Sequence, residues 1–306
     1  MFDYFCYSVP KLGHTDFEPC DKDNENIAWI KAEDLKLFNG AQKIDKLIVF
    51  SREDGKFYRN GKEINVKGLK VFPRCFIPYA KELLTKLEVA GANSLMSQQD
   101  FYTTERWCDF FQPDHRPVYH TTFGEFKKNH KYYSEVIPDL FFKTVEKGLR
   151  ILNLKYFSIN HEGEELFFTK PPIFNMDDDK EIMLSPMFEV IDDPENKAED
   201  REYRAFIIDG ELYSLSRSYV DWPTKVPEEV RVYVENKVKQ IGETDFVKSY
   251  VLDVTECIIN GKRVVDIIEA NAICSSGLEV CNDLLSPLKS TKESLVKNET
   301  HRKKED

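Results

Sequence analysis

The residues best equipped for chemistry lie late in the sequence, in Tyr250-Val251-Leu252-Asp253-Val254 and Val264-Val265-Asp266-Ile267-Ile268-Glu269-Ala270-Asn271. Side chains two residues apart on a strand point to one face, so Glu269 and Asn271 present a carboxylate and an amide oxygen side by side. Two hard oxygens in that arrangement suit magnesium. The flanking Val251, Leu252, Val254, Val264, Val265, Ile267 and Ile268 imply that both faces are largely covered. Acids set among such residues need a partner or a metal. Asp253 can join them on one condition. Ile259-Asn260-Gly261-Lys262 is a hairpin signal. A regular two-residue turn would set Asp253 opposite Ile268, leaving Asp253 and Glu269 on opposite faces. A three-residue loop or a bulge sets Asp253 opposite Glu269, and is what a shared metal site requires.

A second hairpin supplies cations. Glu202-Tyr203-Arg204-Ala205-Phe206 leads through an Asp209-Gly210 turn to Leu215-Ser216-Arg217. A two-residue turn would pair Glu202 with Arg217 and Arg204 with Leu215, placing Glu202, Arg204 and Arg217 on one face. Arg204 or Arg217 could then hold a phosphate or carboxylate through its planar fork, or Glu202 and Arg217 could form a cross-strand ion pair. Phe141-Phe142-Lys143 ends an apolar strand in a lysine, Lys147 follows just before Gly148, and Lys170 ends Leu166-Phe167-Phe168-Thr169 in a similar way. Strand-end lysines can touch nucleotide phosphates, although many are merely solvated. No GxxxxGK[ST] and no GxGxxG occurs, so P-loop and Rossmann readings fail.

These residues sit in a chain of 306 residues that is 41% hydrophobic, with 22 Phe and 14 Tyr. That composition is globular rather than disordered. A formal net charge of -11 argues against a diffuse basic face for nucleic acid. Seven cysteines without a CxxC read as buried free thiols, and the scattered histidines show no zinc-like spacing. The start MFDYFCYSVP lacks the features of a signal peptide, and no apolar run is long enough to span a membrane, so a cytoplasmic location is expected. Strands are predicted at Phe2 to Tyr7, Lys46 to Phe50 and Gly68 to Phe76, with a small hairpin at the Asn60-Gly61 turn. Helices follow from Pro78 to Gly91 and over Phe101 to Phe111. Strands dominate from Val136 onward, interrupted by one helix in which Pro227-Glu228-Glu229 forms the first turn and Gly242 the stop. Asp177-Asp178-Asp179 reads as a solvated loop rather than a cation site. The division expected is an α/β unit over residues 1–123, a two-lobed unit over 124–285 and a disordered charged tail over 286–306.

In running order, Lys143, the E-x-R-x-F hairpin from Glu202 to Phe206, Asp253 and the E-x-N strand of Glu269 and Asn271 resemble the ATP-grasp superfamily. The E-Y-R hairpin, the following Ser218-Tyr219 and the Y-x-x-D strand are similar to its clade named for one arginine and two lysines. The resemblance covers roughly residues 136 to 282. It implies an α+β fold with antiparallel sheets in two lobes that grip ATP, preceded by a smaller α/β domain. It further implies that Lys143, with Lys147 or Lys170 as a second lysine, contacts phosphates. Asp253, Glu269 and Asn271 would hold Mg2+, and Arg204, with Arg217, would stabilise the transferring phosphoryl group. The adenine hinge would fall around Leu184 to Glu189, with Leu184, Ser185, Met187 and Glu189 as the candidates and backbone groups recognising the base. Two departures stand out: Lys143 replaces the clade's early arginine, and the glycine-rich flap is reduced to Gly148 and Gly163.

The activity implied is ADP-forming ligation, in which a carboxylate becomes an acyl phosphate that an amine attacks. Small-molecule or peptide acids and amines would be the substrates. A small-molecule kinase and a non-catalytic nucleotide-binding protein are the alternatives. No nucleic-acid or membrane partner is expected, and a homodimer is compatible with the sequence. Cys274, beside Ser275-Ser276-Gly277, is placed for a substrate-side turn or backbone anion contacts more than for a covalent nucleophile, since no histidine neighbours it in sequence.

Overall fold

A computed structural model describes residues 2–18, 25–137, 140–145, 150–151, 157–159, 166–168, 176–191, 202–217 and 226–276. The first unit is built on β1 (Tyr4–Val9), α1 (Glu25–Lys43), β2 (Leu47–Ser51), β3 (Lys56–Arg59), β4 (Lys62–Glu63), β5 (Lys70–Arg74), α2 (Ile77–Val89), β6 (Asn93–Ser94) and α3 (Gln98–Glu105). Its sheet runs β4-β3-β2-β1-β5-β6, with β2, β1, β5 and β6 parallel and β3–β4 an antiparallel hairpin at one edge. Parallel strands need crossovers, which α1 and α2 supply. Helix α2 buries Ala80, Leu83, Leu84 and Leu87, one apolar stripe at helical spacing. Helix α3 starts with a capping box in which Ser97 and Asp100 satisfy each other's backbone N–H groups.

The rest forms two antiparallel sheets and a separate hairpin of β10 (Phe157–Ile159) with β11 (Leu166–Phe168). One sheet has the order β7 (Tyr119–Thr122), β12 (Glu181–Pro186), β8 (Leu140–Thr144), β9 (Arg150–Ile151). It packs on α4 (Phe123–Lys128) and α5 (His130–Val136) through Phe123, Phe126, Ile137, Phe142, Ile182 and Leu184. The other contains β13 (Glu189–Val190), β14 (Glu202–Ile208), β15 (Glu211–Arg217), β16 (Tyr250–Ile259) and β17 (Lys262–Asn271). Its even face at Leu252 and Val254 meets Val230, Val234, Val238 and Ile241 of α6 (Glu228–Gly242). Its other face contributes Phe206, Ile208 and Val251 to the core of the first unit. Burying one such aliphatic side chain stabilises by about 1.5–3 kcal/mol, so both layers contribute heavily.

Two direct links fasten the first unit beside the end of β17. Cys75 N donates to Cys274 O at 2.9 Å, and buried Arg74 donates to Ile273 O at 3.0 Å while gripping Asp34. Among the described residues no helix is long and apolar enough to cross a membrane. All five described cysteines are buried and unbridged.

At the start of α4, Gly124 N donates to Asp178 O at 2.8 Å, so backbone meets backbone there. A Cβ at Gly124 would stand 2.9 Å from Asp178 Cβ and 3.0 Å from its carbonyl oxygen. Gly124→Ala is therefore expected to destabilise by about 1–3 kcal/mol through overpacking, read as a lower urea midpoint at unchanged m-value.

Candidate active site

The two antiparallel sheets line a cleft of about 280 Å³. Phe141 and Lys143 of β8 and Met183 and Ser185 of β12 form one wall, with Glu202 and Arg204 of β14, Asp253 of β16 and Ile268 and Glu269 of β17 on the other.

The β16–β17 hairpin has both a regular turn and a bulge. Asn260 (φ 53°) and Gly261 (φ 73°) form the two-residue turn, with the positive φ at both positions that a type I′ turn demands. Pairing runs one-to-one from Ile259–Lys262 to Val254–Ile267, after which Ile268 is inserted and Asp253 pairs with Glu269 and Val251 with Asn271. The extra residue brings Asp253, Glu269 and Asn271 onto one face.

On that face the polar groups form one chain. Arg204, opposite Asp253 in the β14–β16 ladder, grips its carboxylate with Nε and a terminal nitrogen at 2.7 and 2.8 Å. Asn271 Nδ2 donates to Asp253 Oδ2 at 2.7 Å and to Glu269 Oε1 at 3.1 Å. Lys143 reaches across the cleft to donate to Glu269 Oε2. The Asp253 and Glu269 side chains are 8% and 14% exposed, so these acids depend on their cations. Asn271 Oδ1 is buried without a hydrogen-bond partner among the described residues. Two carboxylates and a spare amide oxygen on one face are a donor set that fits a hard divalent cation.

A residue far upstream braces the bulge. The Arg116 guanidinium donates to Ile267 O at 2.6 Å and Ile268 O at 3.2 Å, the carbonyls flanking the inserted position. Its Nε lies 3.7 Å from Asp266 Oδ2, and it stacks 4.7 Å over the Phe188 ring. Asp266 Oδ1 accepts from Ile267 N, Asp114 N and Tyr233 OH at 3.0, 3.0 and 3.2 Å. Burial raises the Asp266 carboxyl and lowers the Arg116 guanidinium, each partly offset by the other's charge.

No family model matches the sequence, and no curated protein matches it. Solved structures do match the fold. The ATP-grasp ligase PsnB, bound to precursor peptide PsnA2 and AMPPNP, superposes with a TM-score of 0.52 at 12% identity, covering 95% of this chain and 98% of PsnB. D-alanine–D-alanine ligase from Bacillus anthracis, complexed with ATP, superposes at 0.50 with 11% identity and covers 99% of each chain. The chain has the ATP-grasp fold. Its α+β architecture, with antiparallel sheets after a mainly parallel N-terminal one, is the one expected.

Within this ATP-grasp fold Lys143, Arg204, Asp253, Glu269 and Asn271 gather in one place. Arg217 does not. The β14–β15 hairpin turns at Asp209-Gly210, but Tyr213 is inserted, so Tyr203 rather than Glu202 pairs with Arg217, and Arg204 pairs with Ser216 rather than Leu215. That one-residue shift puts the buried Arg217 on the face away from Arg204 and the cleft, correcting the expected common face. Of the hinge candidates, Ser185 and Met187 line the cleft. Leu184 is buried in the core on the opposite face of β12, and Glu189 is exposed in β13, paired with Ile258. Lys147, Lys170, Gly148, Gly163, Ser218, Tyr219 and the tail from 286 lie outside the described residues.

Arg116, Asp266 and Trp107, which also lines the cleft, escaped the sequence reading, while Phe188 fell inside the expected Leu184 to Glu189 hinge without being singled out. Asp266 carried a legible signal, an acid in an otherwise apolar strand. Arg116 carried none, standing in the aperiodic stretch Asp114-His115-Arg116-Pro117.

Proposed function

We propose that this chain is an ATP- and Mg2+-dependent ligase that activates a carboxylate as an acyl phosphate for attack by an amine, releasing ADP. What carries the reading is the meeting of Lys143, Arg204, Asp253, Glu269 and Asn271 in one cleft between two sheets. The superposed ATP-grasp structures are both named as ligases, one bound to a peptide and AMPPNP and one to ATP, in accord with this reading.

Asp253, Glu269 and Asn271 would hold the magnesium, with Asn271 turning its amide oxygen inward. Bound there, the ion would neutralise phosphate charge. Lys143 and Arg204, released from Glu269 and Asp253, would turn their charges to the phosphates, Arg204 clamping the group in transfer. Ser185 and Met187 would line the base pocket, and Lys147 or Lys170 would add the second phosphate lysine. Residues 1–123 would form one side of the acceptor pocket, a placement favoured by the Cys75–Cys274 and Arg74–Ile273 links.

The test is ADP release from Mg-ATP against pooled amino acids and peptides, with hydroxylamine present to trap acyl phosphate. ADP formed together with hydroxamate is the expected result. ADP with a phosphorylated alcohol and no hydroxamate would make the protein a kinase. Lys143→Ala is expected to lower kcat/KM for ATP about tenfold to a hundredfold, matching the 1.5–3 kcal/mol of a charged hydrogen bond. Turnover equal to wild type would end this assignment.

A further inference from the structure

Beside the Met183 wall of the cleft, a turn and a strand collect a thiol, an imidazole and a carboxylate. Residues Trp107–Asp109 form a short 3-10 turn, and β7 runs antiparallel to β12 with His120 opposite Met183. Cys108 Sγ, a ring nitrogen of His120 and a carboxylate oxygen of Asp109 all lie within 4.8 Å of one another. His120 Nδ1 is 2.9 Å from Asp109 Oδ1, and Cys108 Sγ is 4.0 Å from that same oxygen and 3.6 Å from Met183 Sδ. Arg106 occupies the other Asp109 oxygen, at 2.9 Å, which fixes the direction of the carboxylate. His120 Nε2 is buried with no hydrogen-bond partner among the described residues.

We propose that Cys108, Asp109 and His120 bind a borderline-soft divalent cation of the zinc type, at a site separate from the Asp253, Glu269 and Asn271 oxygens. Tetrahedral zinc holds sulfur, nitrogen and oxygen donors at about 2.0–2.3 Å, so neighbouring donors stand roughly 3.2–3.8 Å apart. The two separations from Asp109 Oδ1, 2.9 and 4.0 Å, bracket that range. Thiolate and imidazole select zinc over magnesium, whereas the other cluster offers oxygens only. Met183 Sδ or water completes the set.

Uptake exchanges one bond for another: the Cys108 S–H bond breaks, an S–metal bond forms and the proton leaves to solvent. An ion here would tie the 3-10 turn to β7 and β12. Trp107 and Met183 both line the cleft, and Met183 pairs with Lys143, so that wall would stiffen.

The full chain, stripped with chelator and kept in magnesium-saturated buffer, should be titrated with Zn2+ against a chromophoric chelator and, in parallel, with Co2+. One equivalent should bind with proton release, and the cobalt form should show a thiolate charge-transfer band. Cys108→Ser and His120→Ala should each lose that band and weaken zinc binding by more than about tenfold, while Cys257→Ser keeps both. Circular dichroism confirms that each variant is folded. Should Cys108→Ser misfold, His120→Ala and the wild-type cobalt spectrum decide. Absence of the band in wild type, or zinc binding by His120→Ala equal to wild type, would overturn the site.

Discussion

Glu269→Gln should lower ADP release by about 10²–10³-fold while leaving the fold intact. That is the loss found when one preorganised electrostatic contact at a reacting centre is removed. The glutamine keeps the shape and can still accept from Lys143, so stability should change little. What disappears is one of two carboxylate charges offered to a divalent cation. Asp253 would then be left to offer carboxylate charge on that face without Glu269 beside it. The measurement is kcat at saturating Mg-ATP, with thermal unfolding as the control. Wild-type turnover in Glu269→Gln would remove the proposed metal site.

Arg116→Met should cost about 3–5 kcal/mol of stability, the penalty for breaking a buried charge pair from one side. Methionine fills much of the volume but leaves Asp266, which is 1% exposed, without its cation, and strips the Ile267 and Ile268 carbonyls of their donor. Urea denaturation measures the loss. Asp266→Asn added to Arg116→Met should recover part of it, because the stranded charge goes. A drop below about 1 kcal/mol in the single variant would mean that Arg116 does not hold the bulge.

What the sequence disclosed was local, and what it hid was long-range. Asn60-Gly61, Asp209-Gly210 and Asn260-Gly261 all form the expected turns, with positive φ at each residue, because turn type depends on two or three neighbouring residues. Helices α2 and α6 likewise carried their own start and stop signals. Helix α1 went unread: Asn39-Gly40 within it reads locally as a turn, and its charged residues blur any stripe. The strand expected from Val136 begins only at Leu140, because residues 130–136 continue as a helix. The metal-face trio was legible because alternation fixes neighbours on a strand, and the need for one extra residue followed from counting. Where that residue sits was not legible. It depends on Arg116, more than 150 residues upstream of Ile268. The same blindness misplaced Arg217, since nothing local marks Tyr213 as the inserted residue.

The Ile268 insertion makes the cluster a matter of parity. With the Asn260-Gly261 turn fixed, straightening the bulge without losing a residue would set Asp253 opposite Ile268 and rotate Glu269 and Asn271 to the far side of the sheet. No ligand would be mutated, and every acid would remain in the sequence. A lineage could therefore lose this oxygen cluster by any change that lets the bulge straighten, or keep it without a bulge by one in-frame deletion of Ile268, and a search for its residues by type alone would miss either event.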